Sequence, residues 1–121
     1  MDRWHELLDE HLKARPHSIA LRDSTGTCWS SADLDAASNG IAARLLDAGV
    51  RAGHRVAVLS GNCGPAVAAM AACSRLGAVA VPLDARISAA ELAKILDHCR
   101  PAIILFCTKA SPEAAAHARV T

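Results

Sequence analysis

Hydrophobic residues follow two rhythms along this chain, and the change of rhythm divides it. From Arg3 to Arg15 the apolar positions Trp4, Leu7, Leu8 and Leu12 recur at helical spacing, marking one face of an amphipathic helix that Pro16 closes. Ser18 to Asp23 alternates instead, with Ile19 and Leu21 on one side, and predicts a short strand. Ser24-Thr25-Gly26-Thr27 supplies turn chemistry, and a second short strand runs through Trp29, so the pair reads as an antiparallel β-hairpin. Ser30 then fits an N-cap, with Asp33 as the carboxylate of a capping box. Leu34, Ala37, Ile41, Leu45 and Ala48 form the buried stripe of a long helix, and Gly49 stands where a glycine ends one.

Beyond Arg55 the strands lose their alternation. Val56-Ala57-Val58-Leu59 is apolar throughout, the pattern of a strand covered on both faces. Gly61-Asn62-Cys63-Gly64-Pro65 turns the chain, and Pro65 fits the first position of the next helix. Ala66 to Leu76 is apolar nearly all round and predicts a buried helix ended by Gly77. Ala78 to Val81 is a second apolar strand, stopped by Pro82. Ser88-Ala89-Ala90-Glu91 predicts another capping box, with a helix after it whose face is Leu92, Ile95, Leu96 and Cys99 and which Pro101 ends. Ala102 to Phe106 is a third apolar strand, and Ser111-Pro112-Glu113 has the caps of a last helix start. The order strand, helix, strand, helix, strand predicts a parallel βαβαβ sheet with right-handed crossovers and helices on both faces. With no repeat and no low-complexity linker, residues 1–121 read as a single α/β domain.

Composition sharpens the core. Hydrophobic residues make up 52% of the chain, inflated by alanine, while Trp4, Trp29 and Phe106 are its only aromatics. Ala, Val, Leu and Ile must therefore fill the interior, which suits helices packed closely on a sheet. A formal net charge of +1 with both signs interspersed gives no footprint for nucleic acid or an anionic membrane. The N-terminus has no apolar signal segment, and the run Ala66 to Cys73 is too short to span a bilayer. A cytoplasmic location is expected. Cys28, Cys63, Cys73, Cys99 and Cys107 show no CxxC spacing and read as reduced, buried small hydrophobes.

Candidate chemistry is sparse. Gly61-Asn62-Cys63-Gly64 comes after a strand and precedes a helix, where a phosphate could sit on backbone N–H groups. It is GxxG, without the spacing of a dinucleotide loop or the lysine of a P-loop, and reads mainly as a tight turn. Ser24-Thr25-Gly26-Thr27 joins two strands and is a hairpin turn. His5-Glu6-Leu7-Leu8-Asp9 misses HExxH at its last position and shows no third metal ligand. His54, His98 and His117 stand near no nucleophile motif. From the residues alone, no catalytic, cofactor-binding or metal-binding side chain is assigned.

Two longer stretches resemble a known family. Trp29-Ser30-Ser31-Ala32-Asp33-Leu34, the helix after it, and Leu45-Leu46-Asp47-Ala48-Gly49-Val50-Arg51-Ala52-Gly53-His54-Arg55-Val56-Ala57 are similar to the first block of the adenylate-forming (AMP-binding) superfamily. That superfamily comprises acyl- and aryl-CoA ligases and peptide-synthetase adenylation domains. Arg75-Leu76-Gly77-Ala78-Val79-Ala80-Val81-Pro82-Leu83-Asp84 resembles its Lys-x-Gly-Ala-x-x-Val-Pro block. Asn62 falls where the family has Asn-Ser-x-Glu. The Glu91–Leu96 helix and the Ala102–Phe106 strand are similar to the family's Glu-Leu-x-x-Ile-Leu helix and its next strand. The resemblance runs from about Leu7 to Phe106. Ser31 replaces the family's tyrosine, Asp33 its glutamate, His54 its aspartate, and Pro65 its second glutamate.

The resemblance implies a partial, N-terminal subdomain of the ligase fold. It implies an enzyme that activates a carboxylic acid as acyl-AMP with ATP and Mg, then passes the acyl group to CoA or a carrier's phosphopantetheine, as in the acyl-CoA synthetases of fatty acid metabolism. The family's phosphate loop, ribose-binding acid and adenylate-contacting lysine lie beyond this segment. The chain alone is therefore expected to hold no cofactor and to be inactive, with Arg86 a basic residue to inspect near a strand end. A stand-alone binding or assembly module and a small nucleotide-binding α/β protein are the alternatives. An uncovered sheet edge or apolar face leads us to expect a homo-oligomer.

Overall fold

In a computed structural model, which describes residues 5–14, 17, 19–22, 26–60, 64–107 and 116, the two rhythms become two sheets. Helix α1 (His5–Ala14) leads into a hairpin of β1 (Ile19–Arg22) and β2 (Cys28–Ser30), antiparallel as predicted. The chain continues through α2 (Ser31–Asp47), β3 (Arg55–Ser60), α3 (Gly64–Leu76), β4 (Val79–Asp84), α4 (Ala89–Cys99) and β5 (Ile103–Phe106). The last three strands form a parallel sheet in the order β4-β3-β5. The segment around Ser111 and most of the Gly61–Gly64 loop lie outside the described residues.

Local chemistry explains where these elements start and stop. Ser30 Oγ accepts from the Asp33 N–H at 3.0 Å while the Ser30 N–H donates to the Asp33 carboxylate at 2.9 Å, a complete capping box. At the other end of α2, Gly49 takes a left-handed φ of +94°. Its N–H reaches the Leu46 carbonyl and the Val50 N–H reaches that of Leu45, so two helix-end carbonyls are satisfied. Val50 and Leu45 are both buried in the same cluster, the apolar contact that accompanies this motif. Helix α3 ends the same way, through Gly77 and Ala78 onto Ser74 and Cys73. Helix α4 ends without a glycine: Arg100 itself adopts φ 45° as its cap.

The core lies mainly on one side of the sheet. Val56 and Val58 point toward α3 and meet Ala66, Ala69, Ala72 and Cys73 together with Leu45 of α2. Leu59 points the other way, toward Leu92 of α4, Ala85 and the half-buried Phe106. The helices thus do flank both faces. Small residues along α3 let α2 and the sheet approach it closely, as its all-round apolar sequence predicts.

Some expectations need correction. Pro82 does not stop its strand: β4 runs on to Asp84. The Val79 N–H donates to His54 and the Ala85 N–H to Ser60, so the odd positions face β3 and Pro82 turns its missing N–H outward. An edge strand tolerates proline there. The β4 and β5 strands are half-covered rather than sealed on both faces, because each lies at an edge of the described sheet. The α3 helix begins at Gly64, one residue before Pro65. Ser88 caps α4, but the Glu91 carboxylate accepts from the Ser88 hydroxyl, not its backbone N–H. Cys73 is buried, whereas Cys28 is exposed on β2 and Cys99 and Cys107 are half-buried.

Candidate functional site at the strand ends

In an open parallel sheet the loops at the carboxyl ends of the strands form the natural ligand site. Here those ends are Ser60, Asp84 and Phe106. Ser60 and Asp84 are register partners, and the Ala85 N–H donates to the Ser60 carbonyl at 3.1 Å. The β3–β4 ladder therefore continues one residue past β4 before the chain turns toward α4.

Among the described residues, Asp84 and Arg86 are the charged groups at this end. Arg86 Nη2 donates to Asp84 Oδ2 at 2.7 Å, and Arg86 Nε lies 3.1 Å from both carboxylate oxygens. The Arg86 backbone N–H also donates to Oδ1 at 2.9 Å. The guanidinium bonds, helped by that backbone donor, hold the Asp84 carboxyl down at about 2. Arg86 is thereby a partner of Asp84 within one exposed turn, in keeping with a structural role.

The start of α3, where a phosphate could be cradled, is enclosed from one side. The Trp29 indole from β2 lies directly on Gly64, so closely that a Cβ at that position would overlap the ring. Trp29 also packs with Leu34 of α2 and with Val67 and Ala71 of α3. The hairpin is thus docked onto this helix end. Gly61, Asn62 and Cys63 lie outside the described residues.

The remaining sequence candidates go to separate places. His5 Nδ1 is 2.8 Å from Ser74 Oγ, and its backbone N–H also reaches that oxygen at 3.4 Å, so Ser74 serves the first turn of α1. Asp9 goes to Arg75 instead of a metal site. His54 Nδ1 accepts the Arg51 N–H at 2.9 Å, closing the turn before β3. An aspartate carboxylate, which the family has at this position, could accept the same bond. His98 is an exposed residue of α4, and His117 lies outside the described residues. Among the described residues, no group of His, Cys, Asp and Glu side chains is arranged to hold a metal ion. Burial pushes the Cys73 thiol up, away from the thiolate a nucleophile would need.

Sequence reading missed a polar side chain that ties three helices among the described residues. Arg75, at the end of α3, donates to Asp9 of α1 at 2.8 Å, to Asp35 of α2 at 3.0 Å and to the buried Ser38 hydroxyl at 3.1 Å. The spacing of Asp35 and Ser38 on one face of α2 was a signal, but its partner stands 37 residues away from Ser38.

Comparison with known proteins points the same way. The AMP-binding enzyme family matches residues 8–121. The chain is 36% identical over 103 residues to the hybrid PKS-NRPS synthetase gkaA of Penicillium citrinum, an alignment covering 85% of this chain and 2% of that protein. It superposes on the N-terminal domain of FACL13 from Mycobacterium tuberculosis with a TM-score of 0.85 at 26% identity, covering 99% of this chain and 29% of that one. A Mycobacterium tuberculosis fatty acyl CoA synthetase gives a TM-score of 0.80 at 27% identity, over 94% of this chain and 23% of that one. The chain thus spans a small part of the relatives it matches. Sequence blocks, parallel sheet and these matches agree: this chain belongs to the AMP-binding enzyme family.

Proposed function

We propose that this chain is the N-terminal scaffold segment of an ATP-dependent ligase that activates a carboxylic acid as acyl-AMP and transfers the acyl group to a thiol. The observation that carries this reading is the family match over residues 8–121, on a chain whose described strands β3, β4 and β5 form a parallel sheet. The thiol is that of CoA or of a carrier's phosphopantetheine. Likeness to a fatty acyl CoA synthetase supports the first, and likeness to hybrid PKS-NRPS synthetases the second.

The segment itself contributes position, not chemistry. The donor set at the strand ends does not fit Mg-ATP: Asp84 is held by Arg86, and Trp29 lies over the start of α3. Charge development on a phosphate in flight calls for several converging cationic or metal donors. Those groups belong to the part of the ligase beyond this segment. The chain is therefore a cytoplasmic, catalytically silent piece that holds the hairpin, α2 and the sheet in register, and that self-associates when its uncovered surface is left open.

An ATP–pyrophosphate exchange assay with a panel of fatty, aryl and amino acids tests the silent role. No exchange is expected from these residues alone, and robust exchange would overturn that role. The reading frame beyond Thr121 tests the scaffold role. Continuation into a Ser/Thr/Gly-rich loop ending in lysine supports it, and a stop codon shifts the reading to a stand-alone module.

A further inference from the structure

Two polar contacts tie helix α1 to α3, and they fall on one face, a turn apart. His5 Nδ1 lies 2.8 Å from Ser74 Oγ, and Asp9, four residues on, pairs with Arg75 at 2.8 Å. Ser74 and Arg75 are neighbours in the last turn of α3, so the end of one helix receives both. The same helix α1 also lies against α2.

The Arg75 end of this clasp does not depend on α1. Its Nη2 serves two carboxylates at once, Asp9 of α1 at 2.8 Å and Asp35 of α2 at 3.0 Å, and its Nε donates to the buried Ser38 hydroxyl at 3.1 Å. Asn39 Nδ2 in turn donates to the other oxygen of Asp35 at 3.3 Å. When α1 lifts away, Arg75 keeps Asp35 and Ser38, and Asp9, already 39% exposed while docked, passes into water. The heavy penalty for breaking a partly buried ion pair, an uncompensated charge left inside, does not arise. The docked state also carries a repulsion. Asp9 and Asp35 are like charges on one nitrogen, so each weakens the hold of the other.

We propose that α1 is a strap: it opens and recloses as a unit while α2, α3 and the sheet stay folded, and Asp35 sets how often, as the carboxylate that shares Arg75 with Asp9. The strap goes beyond the ligase reading and does not rest on it, so either can fail without the other. In an ordinary polar cluster each member adds stability to every element it touches. Here the two acids act on α1 in opposite directions. Asp9 closes the strap. Asp35 ties α2 to α3 and loosens α1.

Hydrogen exchange of the full chain at one fixed pH, read by mass spectrometry, tests the strap. In the parent, amides within α1 should exchange about tenfold or more faster than those of β3, through local opening. Asp9→Asn should speed α1 exchange by about two- to fivefold, the strength of a partly exposed ion pair, and leave α2, α3 and β3 unchanged. Asp35→Asn should slow α1 exchange by about twofold, since its amide oxygen can still accept from Arg75 but no longer repels Asp9. In the Asp9→Asn background that slowing should vanish. Circular dichroism reports whether each variant stays folded. Unchanged or faster α1 exchange in folded Asp35→Asn overturns the proposal, because a merely structural Asp35 would give that result. If Asp35→Asn does not fold, Asp9→Asn decides: faster exchange in α1 alone supports the strap, and faster exchange in α1 and β3 together overturns it. A parent chain whose α1 amides exchange as slowly as those of β3 overturns it as well.

Discussion

Replacing Arg75 with methionine should cost this fold about 2–4 kcal/mol, because one guanidinium ties three helices. Arg75 is mostly buried, with 20% of its side-chain surface exposed, and Asp35 keeps 25%. Ser38 is fully buried, and losing the Arg75 Nε donor removes its hydrogen bond across to α3. A buried hydroxyl deprived of its partner costs about 1–3 kcal/mol. The carboxylates add to this, since Asp9 and Asp35 both reach the same nitrogen and would face each other unneutralised. Asp9 is 39% exposed, so its own share is small, about 0–1 kcal/mol, the range of a solvated pair. Urea unfolding monitored by circular dichroism measures the sum, and an unchanged slope would show that the unfolded state is not the cause. Arg75→Lys should recover less than half, because one ammonium cannot reproduce a planar fork serving Ser38 and two carboxylates. Asp35→Asn in the Arg75→Met background should restore part of the loss by relieving repulsion. An Arg75→Met stability within about 0.5 kcal/mol of the parent would refute the reasoning, as a surface substitution moves stability no further than that.

Other substitutions test single contacts. Gly64→Ala should destabilise by about 1–3 kcal/mol and shift the Trp29 emission, because the new methyl overlaps the indole; Gly40→Ala, with nothing within 4 Å, should instead stabilise by about 0.5–1 kcal/mol. Ser31 is buried with its hydroxyl unpartnered among the described residues, so Ser31→Ala should leave stability unchanged or raise it by up to about 1 kcal/mol in the same urea assay; a clear loss would mean the hydroxyl is bonded. Asp33 and Asp84 are both lowered from an ordinary 3.8, Asp33 chiefly by the Ser30 backbone N–H and Asp84 to about 2 chiefly by the Arg86 side chain. A lowered carboxyl stabilises the fold above its unfolded value and loses that contribution as pH falls through the folded one. Thermal melts should therefore decline from near pH 4 toward pH 2, and Asp84→Asn should flatten that decline; an identical acid limb in the variant would remove Asp84 from the account.

Legibility tracked distance along the chain. The α2 cap needed only Ser30 and Asp33, and both glycine helix ends needed only a residue that accepts positive φ, so local rules found them. The parallel sheet was legible because three uninterrupted apolar runs alternate with helices. Pro82 misled because proline is a strand breaker only where its N–H is needed, and which edge of a strand is free is a tertiary fact. The Trp29–Gly64 contact joins residues on different elements, and neither neighbourhood announces the other. Arg75 resembled the family's lysine in its block and gave no hint of three partners. His54 departed from that family's aspartate yet keeps an acceptor for the Arg51 N–H, so its role emerges only once the turn is folded.

The same asymmetry runs through core, edges and strand ends. Toward α3 the sheet buries Val56 and Val58 in a cluster of eight buried residues, while toward α4 the cluster has three. Stability therefore resides on the α3 side, where Arg75 also clasps α1 and α2 and where Trp29 pins the hairpin. The α4 side and the β5 edge keep half-covered apolar surface, Ile104 and Phe106 included. Covering apolar area is favourable by about 25 cal/mol per Å², so such a surface gains from any further chain laid over it. Hydrogen exchange separates the two sides. Amides of β3 should exchange most slowly, since that strand is paired on both sides, and the outward Ile103 and Leu105 amides should exchange faster. Protection of Ile103 and Leu105 equal to that of the β3 amides would refute this asymmetry.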